Sequence, residues 1–255
     1  MSQEAQTQTV ARSGGILTVR AHSGLSGDIM LTGLARMSGA DQALLDEMLA
    51  ALNIPGLSGS VRLEERSVHN ISGWGCAMEL PHEHAHRSLI DIQAIIAASA
   101  LPGAAAALAR KTFSLLAEAE GAVHGKAPES VTFHEVGALD SIVDICLVCA
   151  LYVRLAPAHF ICSPLPLADG GVLCAHGWIP TPAPAVLRLL EGVPVRSFAG
   201  EGETITPTAI ALLKALEADF ASWPAMRIDR QAIVYGSKVF ENAPNGSTWA
   251  YGGKR

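Results

Sequence analysis

The sequence predicts a mixed α/β protein, a mixed sheet with packed helices around one main core. Three observations carry this. Strand-like and helix-like segments interleave without strict alternation. Hydrophobic residues make up 49% of the 255 positions and charged residues only 16%, enough apolar material for a sizeable core without disulfides or a structural metal. No internal repeat or low-complexity segment divides the chain, apart from an Ala-rich stretch at 104–109.

The elements follow in order. Ile16 to Arg20 reads as a short strand running into the turn Gly24-Leu25-Ser26-Gly27-Asp28. Ile29, Met30, Leu31, Leu34 and Met37 then recur at helical spacing, and Ser38-Gly39 closes that helix. Asp41 is a plausible N-cap for a second helix with Leu44, Leu45, Met48, Leu49 and Leu52 on one face. Residues 60–80 alternate as two strands joined by a turn near Asn70. Ser88 caps a helix to about Ala98, and Pro102 suits the first position of another that runs to about Ala122. Val131 to Val136 reads as a strand and Ala138 to Leu155 as a buried helix. Phe160 to Gly177 is strand-like and loop-rich. Helices start at Ala183 and Pro207, and a last strand spans Ile228 to Val234.

The expected organisation is a disordered tail at 1–14, a folded domain at 15–240 and a second tail at 241–255. Eighteen basic residues against 24 acidic ones, net −6, argue against nucleic acid or an anionic membrane as partner. The polar N-terminus has no secretory h-region. The most apolar run, Ile145 to Val153, is far below the ~20 residues that span a bilayer. Five dispersed cysteines read as reduced thiols, which places the chain in the cytoplasm.

Candidate chemistry concentrates in a few places. His82, His84 and His86 stand at i, i+2, i+4. An extended chain puts all three on one side, whereas a helix spreads them over about 200°. Imidazole suits Ni, Zn and Cu, so the tract reads as a metal site or, failing that, as a solvated polar loop. Gly24, Ser26 and Gly27 form a strand-to-helix turn whose N–H groups make either an anion cradle or a purely structural turn, with Asp28 beside it. His134 and Glu135 precede Asp140 and Asp144, which share one helix face. Asp144 sits among apolar residues and needs a cation, a metal or a hydrogen bond. This group is either a polar site or a satisfied structural network. Cys146 and Cys149 read as small core residues. His176 lies in a Gly-rich loop ahead of one helix start, and Thr204, Thr206 and Thr208 surround another. Those two helix N-termini and the Gly24 turn are three ends that could face one anionic ligand. His22, His69, His124 and His159 are isolated and read as structural or surface residues.

Taken together, GLSGD with its apolar helix, HEHAHRSL, FHEVGALDSIVDI, SPLPL, AHGWIPTPAPAVLRLLEG and TPTAIALL resemble the nickel-insertion proteins of the lactate-racemisation system, the LarC family. The likeness covers about residues 16–240. Before the Gly-x-x-Gly turn, where that family usually carries an acidic residue and often a cysteine, this chain reads Ala21-His22. The resemblance implies a CTP-dependent nickel chelatase that metallates pyridinium-3,5-bisthiocarboxylic acid mononucleotide to the nickel-pincer nucleotide used by lactate racemase. On this reading His82, His84 and His86 capture or deliver Ni(II), and Asp28, His134, Glu135, Asp140 and Asp144 line the site. Gly24 to Gly27, Thr206, Thr208 and His176 handle the nucleotide. Longer family members continue into a domain associated with CTP and its Mg(II) or Mn(II). The implied alternative is therefore a nickel carrier or assembly module working with a separate CTP-binding chain or a racemase apoprotein. A homo-oligomer is the base-rate expectation.

Overall fold

The computed structural model describes residues 14–81, 87–133, 136–174, 177–241 and 243–254. The elements are β1 (Ile16–Ala21), α1 (Gly27–Ser38), α2 (Gln42–Ala51), β2 (Val61–Val68), β3 (Ile71–Met78), β4 (Arg87–Ser88), α3 (Leu89–Ala98), α4 (Gly103–His124), β5 (Thr132–Phe133) and α5 (Leu139–Leu155). There follow β6 (His159–Cys162), β7 (Leu165–Asp169), β8 (Gly171–Cys174), β9 (Gly177–Pro180), α6 (Pro184–Leu189), β10 (Val195–Glu201), α7 (Pro207–Ala215), β11 (Asp219–Phe220), β12 (Met226–Val234) and β13 (Ser247–Lys254). The fold is mixed α/β around one core, as expected from the sequence. No helix among the described residues is long and apolar enough to cross a membrane.

Local chemistry sets the boundaries. Gly39 takes the left-handed conformation that ends α1, a position where a Cβ would be strained. Asp41 caps α2 by accepting from Leu44 N at 2.9 Å. Ser88 and Asp91 form a reciprocal capping box on α3. The β2–β3 hairpin turns through His69 and Asn70, both at positive φ, a geometry whose twist matches the flanking strands.

Seven strands form the main sheet in the order β11-β6-β1-β13-β12-β3-β2. β6 runs parallel to both β1 and β11, whereas β13 is antiparallel to β1 and to β12. In this register Thr18 lies opposite Ile161 on one side and Ala250 on the other.

β13 corrects the expected tail at 241–255. It sits near the centre of the sheet and carries the fully buried Trp249. The Gly-, Asn- and Pro-containing approach to it hides a β-prone run, Thr248 to Tyr251. α1 lies directly on this strand, because a Cβ on Gly33 would stand 2.2 Å from the Trp249 ring. Other strand boundaries differ less. Among the described residues of the segment Val131 to Val136, Thr132 and Phe133 form β5, paired with β4. The stretch from Phe160 to Gly177 resolves into separate strands. The expected tail at 1–14 lies, except for Gly14, outside the described residues.

Trp249→Ala should lower the unfolding free energy by about 3–5 kcal/mol, read as an earlier urea midpoint at unchanged slope. A negligible loss would show that β13 is not a core strand.

Candidate active site

Two glycines assemble the site. A Cβ on Gly24 would stand 1.8 Å from the Thr204 carbonyl oxygen. Without one, Leu25 N–H donates to Thr204 O at 3.0 Å and Thr206 N–H donates to Leu25 O at 3.1 Å. This short parallel bridge places the starts of α1 and α7 side by side. At Gly27 a Cβ would stand 2.2 Å from Asp144 Oδ2, so α1 touches α5 at its buried carboxylate.

The N-termini of α1, α5 and α7 thereby open on one cavity of about 590 Å³. Ser26 and Ala138 precede α1 and α5 without a side-chain cap, and Thr206 caps α7. First-turn N–H groups and helix dipoles make such ends electropositive. Sequence reasoning expected the start of α6 as the third terminus. It faces instead a neighbouring cavity of about 430 Å³, whose wall shares Asp140, Ser141, Thr206 and Thr208 with the first.

The side chains in the larger cavity are acidic. Asp28, Asp140 and Asp144 line it together with Cys76, and no Lys or Arg among the described residues does. Ser26 Oγ donates to Asp28 Oδ1, and Asp140 Oδ1 accepts from Ser141 N–H at 2.7 Å. Asp144 is 9% exposed, and its Oδ1 has no hydrogen-bond partner among the described residues. Burial above all, then the charges of Asp28 and Asp140, hold its carboxyl well above the usual range. Burial, followed by Asp144 and Asp28, pushes the Cys76 thiol up to about 12. Carboxylates beside a thiol offer oxygen and sulfur to a borderline cation. Among the described residues no three His, Cys, Asp or Glu side chains stand as a ready chelate.

Of the residues picked from sequence, Ser26, Gly27, Asp28, Asp140, Asp144, Thr206 and Thr208 all line this cavity. Gly24 lines an adjoining one with Ser26, Thr206 and Lys238. His82, His84, His86, His134, Glu135 and His176 lie outside the described residues. Described neighbours of these segments border the two cavities: Pro81 the larger, Val136 and Leu173 the smaller. Cys76 was missed, because a lone cysteine in an alternating strand gives no signal beyond core packing. Cys146 and Cys149 are buried, as read.

A family model described as nickel insertion protein matches residues 17–249, from β1 into β13. A relative from Geotalea uraniireducens (strain Rf4) is 39% identical over 225 residues, 88% of this chain and 57% of its own length. Two further relatives are named pyridinium-3,5-bisthiocarboxylic acid mononucleotide nickel insertion protein. The one from Nocardioides sp. is 37% identical over 227 residues, 89% of this chain and 57% of the relative. The one from Desulfitobacterium hafniense (strain DSM 10664 / DCB-2) is 39% identical over 219 residues, 85% and 53% respectively. The chain thus spans a little over half the length of these relatives. No solved structure matches it.

Asp144 makes a pH-dependent prediction. Its folded-state proton affinity is raised, so protonation favours the folded state. That stabilisation is complete below the unfolded value, about 3.9, and drains away as pH rises toward the folded value. Asp144→Asn should therefore gain on the parent chain with rising pH, by up to about 1.4 kcal/mol per pH unit in that window. Urea melts from pH 4 to 7 measure the gap; a pH-independent gap would contradict the assignment.

Proposed function

Because the chain belongs to the nickel insertion protein family, we propose that it inserts nickel into pyridinium-3,5-bisthiocarboxylic acid mononucleotide, the acceptor in its relatives' names. The observation that carries this is the acidic cavity at three helix N-termini, with the buried Asp144, whose Oδ1 has no partner among the described residues, in its wall.

The roles divide by chemistry. His82, His84 and His86 collect the incoming Ni(II), and His134 and Glu135 assist its transfer. Asp28 and Asp140 attract the cation into a volume that no positive side chain among the described residues lines. The substrate's phosphate is repelled by those carboxylates. The adjoining cavity, where the Gly24 turn, Thr206 and Lys238 meet, takes the remainder of the nucleotide, a role shared with Thr208 and His176. A pincer ligand grips its metal through two flanking sulfurs and the ring carbon between them, so metallation expels that carbon's proton. Asp144 is suited to receive it, since burial gives the carboxylate a high proton affinity.

With this reading go a cytoplasmic location, transfer of the product to a lactate racemase apoprotein, and an activating role for CTP with Mg(II) or Mn(II), supplied in cis or by a separate chain. The deciding experiment mixes the purified chain anaerobically with Ni(II) and the bisthiocarboxylate mononucleotide, with and without CTP and Mg(II), and follows nickel–thiolate absorbance. Metallated product is the expected result. Nickel binding without product would point to a carrier.

Replacing His82, His84 and His86 together by Ala should abolish Ni(II) binding in equilibrium dialysis. Asp28→Asn and Asp144→Asn should each slow product formation on the order of 10–100-fold while leaving far-UV circular dichroism unchanged. Wild-type rates in both variants would remove the cavity from the mechanism.

A further inference from the structure

A further cavity, of about 360 Å³, lies beyond the carboxyl ends of β1, β6 and β11. These three strands run parallel, and crevices at the carboxyl ends of parallel strands are where α/β sheets bind ligands. Arg20 and His22 reach it from the end of β1, Ser163 from just after β6, and Trp223 from just after β11. Arg196 and Phe198 come from β10. No Asp or Glu among the described residues is in its wall.

Its charge is uncompensated. Arg20 is 7% exposed. Its Nη2 donates to Ala221 O at 2.6 Å, but its Nη1 has no partner among the described residues. A buried guanidinium normally meets a carboxylate or another anion. Here its neighbours are Arg196, which donates to the Ala21 and His22 carbonyls, and the half-exposed Trp223 ring, 5.6 Å from its Cζ. Burial first, then Arg196 and Arg20, hold the His22 imidazole below its usual range. Ser163 Oγ accepts from Ala21 N–H, which leaves its own hydroxyl proton to donate.

We propose that this cavity binds an aromatic organic phosphate, its phosphate on Arg20 and Arg196 and its flat ring on Trp223 and Phe198. Two sources share that chemistry: the phosphate end of a pyridinium mononucleotide, and a separate pyrimidine nucleotide. The proposal stands on different residues from the acidic cavity and does not depend on nickel insertion.

The test is titration calorimetry with tryptophan fluorescence, using nicotinic acid mononucleotide, cytidine monophosphate and the phosphate-free nicotinic acid riboside. At least one of the two phosphates should bind and quench fluorescence, and the riboside should not. Arg196 is exposed, so Arg196→Gln should fold normally and weaken binding by about tenfold or more. Trp223→Phe should remove the quench while keeping most of the affinity, and Arg20→Lys tests the buried cation conservatively. Tighter binding of the pyridinium compound assigns the cavity to such a substrate, and tighter binding of the cytidine compound to a separate nucleotide. Either result supports the site. Absence of heat and quenching with both phosphates, equal binding of the riboside, or unchanged affinity in Arg196→Gln would overturn it.

Discussion

Two backbone hydrogen bonds between Leu25 and the chain ahead of α7 determine where every group in the acidic cavity stands. They form because Gly24 lets the Thr204 carbonyl come within the space of a missing side chain. Once they are made, the first turns of α1 and α7 are neighbours, and the lack of a Cβ at Gly27 draws in α5 with Asp144. The site is thus a product of close backbone approach. Larger residues at either glycine would push apart the helices that carry the chemistry, even with all the polar side chains retained.

Close approach has an electrostatic cost. Three carboxyl groups share a cavity lined by no basic side chain among the described residues, and one of them is almost fully dehydrated. Like charges in such a place raise each other's proton affinity or await a cation. On the other side of the same short connection from β1 to α1, two arginines and a histidine gather without a carboxylate. Residues 20–28 therefore separate a basic hollow from an acidic one. Each hollow stores unfavourable energy that a ligand of opposite sign would relieve, and the separation keeps the two sets from neutralising one another.

Legibility in the sequence followed the range of the interactions. The caps at Asp41 and Ser88, the turn near Asn70 and the buried helix α5 depend on residues a few positions apart, and their spacing announced them. Asp28, Asp144, Thr206 and Thr208 were recognisable as residue types out of place in plain packing. Their meeting point was not, since it arises from a bridge between distant segments. The substitution of α5 for α6 as the third terminus has the same origin. β13 was hidden because its partners, β1 and β12, decide its role, while the Gly-, Asn- and Pro-containing approach masks its β-prone run. Cys76 was hidden because burial beside carboxylates leaves no mark on a strand's alternation.

The placement of β13 also bears on how the chain reaches this fold. The antiparallel partner of β1 is the distant strand at residues 247–254, and Gly15 N–H donates to the Tyr251 hydroxyl across 236 positions. Loop closure over that distance must precede any gain from pairing. Until it happens, β1 and β12 each present an open edge, with the slot for Trp249 empty between them. Assembly of the sheet should therefore be slow and late, with an aggregation-prone intermediate whose lifetime is set by capture of β13.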